Sequence, residues 1–152
     1  MYKFSKTYIK KIIESKVYDV AIKSPLPRAD NISSKLNNNV FLKREDLQPT
    51  HSFKIRGAYN KIENLVRTKK VNHVVTASAG NHAQGVAYSC ARKKVKGMIF
   101  MPTPTPKQKI AQVEMFGGAY VEVILVGDTF DDASKQARDC LLYTSPSPRD
   151  NK

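Results

Sequence analysis

From residue 53 onward the chain alternates amphipathic stretches with short runs rich in β-branched residues, and that alternation restricts the fold more than any other feature. Helical spacing of apolar side chains marks 53–67, 82–93, 106–116 and 130–141, and strand-like runs occupy 40–43, 71–76, 96–101 and 120–126. A helix between two strands is the crossover that parallel pairing requires, so the pattern predicts an α/β fold, a parallel sheet with helices on both faces. Ala58, Ile62, Leu65 and Val66 fall on one face of the first of these helices, which predicts that this face packs inward. Gly117-Gly118 reads as a left-handed cap on the third helix. Ahead of the alternating region, Ile9, Ile12 and Ile13 recur at helical spacing. No internal repeat is present.

Two segments carry chemistry. The run Gln48-Pro49-Thr50-His51-Ser52-Phe53-Lys54-Ile55-Arg56-Gly57-Ala58-Tyr59 places Lys54 directly after an aromatic ring and just inside a helix start. In a chain with 26 Lys and Arg residues one more surface lysine is the ordinary reading. A helix N-terminus, however, carries roughly +0.5 of an elementary charge, which disfavours an ammonium and favours the neutral amine that attacks a carbonyl. The second segment is a β-branched run, Val74-Val75-Thr76-Ala77, then Ser78-Ala79-Gly80-Asn81-His82-Ala83-Gln84-Gly85, and it reads as strand, tight polar loop and helix. Gly80 permits backbone angles that a Cβ resists, so successive N–H groups can turn towards one point at the helix mouth, where carboxylates and phosphates bind. An ordinary β-to-α turn capped by Ser78 or Asn81 is the competing reading.

Taken together these segments resemble the N-terminal part of the biosynthetic threonine dehydratases (threonine ammonia-lyases), pyridoxal-phosphate enzymes of the tryptophan-synthase-β-like, fold type II group. Pro25-Leu26, Phe41-Leu42-Lys43-Arg44-Glu45-Asp46, Ser52-Phe53-Lys54-Ile55-Arg56-Gly57-Ala58, Thr76-Ala77-Ser78-Ala79-Gly80-Asn81-His82-Ala83-Gln84-Gly85, Met101-Pro102 and Phe116-Gly117-Gly118 occur in the family's order and near its spacing, across about residues 8–138. The Ser-Phe-Lys and Ala-Gly-Asn-His elements are shared with serine racemase and the catabolic dehydratase, and Gln48-Pro49-Thr50-His51 leans towards the biosynthetic branch.

The resemblance implies pyridoxal 5'-phosphate as cofactor and an amino acid as substrate, with a homo-oligomeric parent. Lys54 would carry the cofactor and act as the base, and Phe53 would lie near the cofactor ring unless it is a core aromatic. Asn81 would hydrogen-bond the cofactor's 3-hydroxyl, and Ser78, Ala79, Gly80, Asn81 and His82 would hold the substrate carboxylate. A histidine near a helix start is more often structural than an acid–base group. The implied activity is deamination of L-threonine to 2-oxobutanoate and ammonia, the entry step to isoleucine. A related pyridoxal-phosphate dependent serine/threonine dehydratase or serine racemase is the first alternative, and a Rossmann-type nucleotide-binding module without pyridoxal phosphate the second, although no Gly-x-Gly-x-x-Gly follows any strand. The family's glycine-rich phosphate loop has no counterpart here, since the sequence holds no Gly-Gly-Gly-Gly run. Residues 1–139 are therefore expected to be the N-terminal part of a longer catalytic domain. Residues 140–152, with Ser145-Pro146-Ser147-Pro148, are expected to be a non-native or disordered tail.

Charge and composition exclude other classes. A formal net charge of +13 suits nucleic acid. Yet Lys10-Lys11, Lys69-Lys70 and Lys93-Lys94 are isolated pairs without interleaved aromatics to stack bases, so no nucleic-acid partner is expected. No stretch approaches the ~20 apolar residues of a membrane span. No Cys/His spacing suits a metal. Two cysteines make no disulfide framework, and the basic N-terminus runs straight into matching sequence with little room for a leader, which together suggest the cytoplasm.

Overall fold

The computed structural model describes residues 5–144. Helix α1 (Lys6–Ile13) is capped by Ser5, whose Oγ accepts from the Tyr8 N–H at 3.3 Å. The helical spacing of its isoleucines is as expected, but the apolar face has no cover: Ile9, Ile12 and Ile13 are 46, 56 and 76% exposed. A short helix α2 (Asp30–Lys35) follows. Then come α3 (Lys54–Lys69), β1 (His73–Ala77), α4 (Asn81–Lys93), β2 (Lys96–Met101), α5 (Lys107–Gly117), β3 (Val121–Leu125) and α6 (Phe130–Thr144).

The strands form one parallel sheet in the order β1-β2-β3, with Thr76 opposite Ile99 and Ile99 opposite Val123. Alternation along the central strand explains the layers. Ile99 and Met101 point into a core with Val86, Ala87 and Cys90 of α4 and Val113 of α5, and this cluster extends to Ala58 and Ile62 of α3. Phe100 points the other way, against Ala133 and Ala137 of α6. Helices thus cover both faces, as the alternation predicts. Val66 completes the apolar face of α3 against the same core.

Gly118 closes α5 at φ +51°, ψ −137°, a positive-φ conformation that glycine adopts without penalty, although not the left-handed helical one. The strand expected at 40–43 does not form. An isolated antiparallel bridge joins Arg28 and Phe41 instead. The facing segment carries Pro25 and Pro27, whose carbonyls accept from Arg44 and Leu42 at 3.1 and 3.0 Å. Prolines return no N–H, so alternate rungs of the ladder are missing. Helix α6 continues to Thr144, and Cys140 packs against the Phe100 cluster. The Ser-Pro repeat expected to end the helical pattern lies outside the described residues.

Candidate active site

Lys54 is the first residue of α3, and the helix opens without a side-chain cap at Phe53. The buried Ser52 hydroxyl instead accepts from the Lys54 N–H at 3.3 Å. The Lys54 side chain is exposed, its ammonium 5.5 Å from the centroid of the Phe53 ring. Phe53 is 59% exposed and does not join the core of the described residues. The turn into α3 is tight: His51 sits at φ +51° and its N–H bonds the Gln48 carbonyl at 2.7 Å.

Behind Lys54 a polar network fixes the helix to the N-terminal segment. The Arg56 guanidinium grips both carboxylate oxygens of Glu45, at 2.9 and 3.0 Å, and also donates to the Ile22 carbonyl at 2.9 Å. The buried Gln48 amide meets Ile22 as another strand would, accepting from its N–H and donating to its carbonyl, both at 2.9 Å. Ser24 donates to Glu45 as well. Arg56, helped by the Ser24 and Gln48 hydrogen bonds and opposed by desolvation, holds the Glu45 carboxyl down at about 2. Glu45, Gln48 and Arg56 stand in the matched motifs and Ile22 and Ser24 do not, and nothing in the spacing reveals the clamp, because the partners are far apart in sequence.

The second segment leaves the sheet at Ala77. Ser78 prolongs the pairing by donating its N–H to Phe100 at 3.1 Å, and its hydroxyl accepts from the Gly80 N–H at 3.4 Å. Helix α4 then starts at Asn81 with no side chain capping it, which sets aside the ordinary capped turn. Gly80 lies in extended backbone at φ −129°, ψ −155°, so the expectation that glycine angles shape this loop is corrected. Its value is spatial: apart from its own chain neighbours, no atom among the described residues lies within 4 Å of where a Cβ would stand. Ala79 turns its side chain onto the main core, leaving its backbone for any ligand. Asn81 and His82 are exposed.

Packing of α3 on α4 brings the two segments together. Gly85 faces Lys54, and Glu63 near the far end of α3 pairs with Lys93 at the end of α4, so the helices run side by side in the same direction. Their positive N-terminal ends therefore converge, and both lack side-chain caps, an arrangement suited to an anion. His82 borders a groove between α3, β1 and α4 lined by Ala58, Ile62, Leu65 and Val86. Partial desolvation there, and secondarily the Lys54 charge, hold its imidazole below the ordinary 6.5. His51 and His73 stand apart and serve locally, His51 against the Asp46 carbonyl and His73 against Asn72. Cys90 is buried and its thiol is pushed up to about 12 by that burial, which removes it as a nucleophile. Among the described residues no group of His, Cys, Asp and Glu could hold a metal, and no helix is long and apolar enough to cross a membrane.

An exposed amine at one helix start, an uncapped helix start beside it and open space over Gly80 fit an aldehyde-bearing, phosphorylated aromatic cofactor. Known proteins agree. The family described as pyridoxal-phosphate dependent enzyme matches residues 17–146. The biosynthetic L-threonine dehydratase IlvA of Bacillus subtilis is 54% identical over 124 residues, covering 82% of this chain and 29% of the relative. Its Escherichia coli namesake is 48% identical over 130 residues, covering 86% and 25%. Among solved structures, the processed form of threonine deaminase isoform 2 from Solanum lycopersicum superposes with a TM-score of 0.83 at 47% identity, over 90% of this chain and 37% of that one. Maize serine racemase follows with 0.80 at 27% identity, over 90% and 41%. The chain thus spans under a third of the curated dehydratases it matches. With the family matched across residues 17–146, the chain belongs to the pyridoxal-phosphate dependent enzymes.

Proposed function

We propose that the protein containing this chain deaminates L-threonine by β-elimination, giving 2-oxobutanoate and ammonia for isoleucine biosynthesis, and that it works in the cytoplasm as a homo-oligomer. The observation that carries the proposal is the juxtaposition of Lys54 with the open start of α4. Identity of about half to named biosynthetic dehydratases, against 27% to a serine racemase, favours threonine over the racemase alternative.

Lys54 holds the cofactor through its amine, and its Nζ accepts and carries the substrate α-proton. The cofactor, when bound, supplies the electron sink. Phe53 and Asn81 would help to hold it, Asn81 with an uncharged donor for its 3-hydroxyl. The Ser78 to His82 loop orients the substrate carboxylate against the N–H groups of α4, where the converging helix ends favour negative charge. His82, held below its ordinary value, is neutral at neutral pH and adds no second positive charge beside Lys54.

Borohydride fixation followed by peptide mapping tests this. In the full-length protein the label is expected on Lys54, and Lys54→Ala is expected to abolish ammonia release, because no other side chain here offers both the carbonyl-binding amine and the proton acceptor. A label on Lys61 with Lys54 unmodified sinks the assignment.

A further inference from the structure

Gly85 lies one turn into α4, on the same side of the helix as Asn81. A Cβ built on it would stand 3.2 Å from the Lys54 carbonyl oxygen, 3.3 Å from the Ile55 Cα and 3.3 Å from the Ala58 Cβ. Two of these three neighbours are backbone and the third is a Cβ, so none can swing aside as the end of a long side chain would. One helix has to move by a few tenths of an ångström.

Which helix yields follows from how each is held. Ala83, Gln84, Gly85, Val86 and Ala87 of α4 are all buried. The Gln84 amide also donates to Gln112 of α5 at 2.9 Å, and the Ser89 hydroxyl bonds back to the Gly85 carbonyl at 2.6 Å. The first turn of α3 buries Ile55 but leaves Phe53, Lys54 and Gly57 exposed. The Arg56–Glu45 clamp fixes α3 through the Arg56 side chain, and none of its hydrogen bonds is made to Lys54.

We propose that Gly85 is a positioning residue for Lys54: the bare face of α4 at Gly85 is the seat on which the Lys54 carbonyl rests, and it sets the separation of the Lys54 amine from the Ser78 to His82 loop. This rests on the reading of Lys54 as the residue that holds the cofactor. A side chain at 85 would push the start of α3 outward and carry the amine away from the loop. Misplacement of a reacting group by a fraction of an ångström costs turnover more than binding.

The test uses the full-length holoenzyme as wild type, Gly85→Ala and Gly85→Ala with Ala58→Gly. The readouts are borohydride label position, the pH midpoint of the bound cofactor's absorbance change, kcat and KM separately, and melting temperature. Gly85→Ala is expected to keep the label on Lys54, to shift the absorbance midpoint and to lower kcat about tenfold with KM altered less than about twofold. Adding Ala58→Gly removes the Cβ–Cβ contact but leaves the one to the Lys54 carbonyl. It is therefore expected to recover part of the melting temperature while restoring neither kcat nor the midpoint. If Gly85→Ala does not fold, the double variant carries the same expectation.

Unchanged kcat and midpoint in Gly85→Ala, or recovery of both by Ala58→Gly, overturns the inference and makes Gly85 a packing residue only, with the Lys54 reading intact. Failure of both variants to fold counts the same way. A wild-type label away from Lys54 overturns the Lys54 reading and this inference together.

Discussion

Thr50 is fully buried four residues ahead of Lys54, and its hydroxyl oxygen has no hydrogen-bond partner among the described residues. An unsatisfied buried polar atom costs about 1–3 kcal/mol, and valine has the same shape without the hydroxyl. Thr50→Val is expected to raise the melting temperature by the equivalent of about 1 kcal/mol, read by calorimetry; a fall would mean that the hydroxyl has a partner in solution. Asn81 presents the opposite case. It is exposed and caps nothing, so its loss has little to cost the fold. Asn81→Ala is expected to reduce turnover by the equivalent of roughly 1.5–3 kcal/mol, the worth of a hydrogen bond to a charged partner, with the melting temperature nearly unchanged. A large drop in melting temperature at unchanged turnover would make Asn81 structural.

Between elements, the Glu45–Arg56 pair decides the acid behaviour. Its side chains are only 18 and 25% exposed. The Glu45 carboxyl falls from 4.5 to about 2 on folding, so the stability it contributes is present above 4.5 and is lost as pH drops towards 2. Discounted for solvent screening, that contribution is about 2 kcal/mol. Glu45→Gln is expected to lower the neutral-pH melting temperature and to flatten its decline between those two values, which a pH series of thermal melts reads directly. An unaltered acid limb would assign the loss to other carboxylates.

The sequence reveals elements better than it reveals pairings of this kind. Helical and strand periods place α3 to α6 and all three strands within a few residues, because each period is set by burial on one face. The segment at 40–43 misleads because its β-branched, apolar composition carries no record of the prolines opposite. Local chemistry marks Lys54 at one helix start and Ser78 and Asn81 at another, while the roles proposed for them come from the family resemblance. Gly85 is visible only as a small residue in a helix, since what makes it matter is the carbonyl of a residue in a different helix. Gly80 is read correctly as part of the loop but for the wrong reason: the space above it, and not its dihedral angles, is what a glycine leaves open.

For the whole molecule, apolar surface and an open strand edge set the behaviour. The outer edge of β1 pairs with no strand among the described residues, and Val74-Val75-Thr76 carries neither lysine nor proline to blunt it. Leu26, Phe41, Leu42 and Leu47 are exposed in the N-terminal segment. Residues 1–152 purified alone are therefore expected to self-associate at modest concentration and to lose added pyridoxal phosphate on dialysis. Sedimentation and absorbance check both. A monodisperse sample with stoichiometric retained cofactor would refute the expectation.

The strand order β1-β2-β3 follows the order of the chain. Each new strand docks beside the one just made, so assembly needs only short loop closures and little waiting for distant partners. During synthesis α3 and α4 precede β2, α5 and β3, and their mutual contact at Lys54 and Gly85 requires nothing that emerges later. The pair of helix starts that we propose receives the cofactor can thus form before β2, α5 and β3 are made, and destabilising changes at that contact should slow folding as well as speed unfolding.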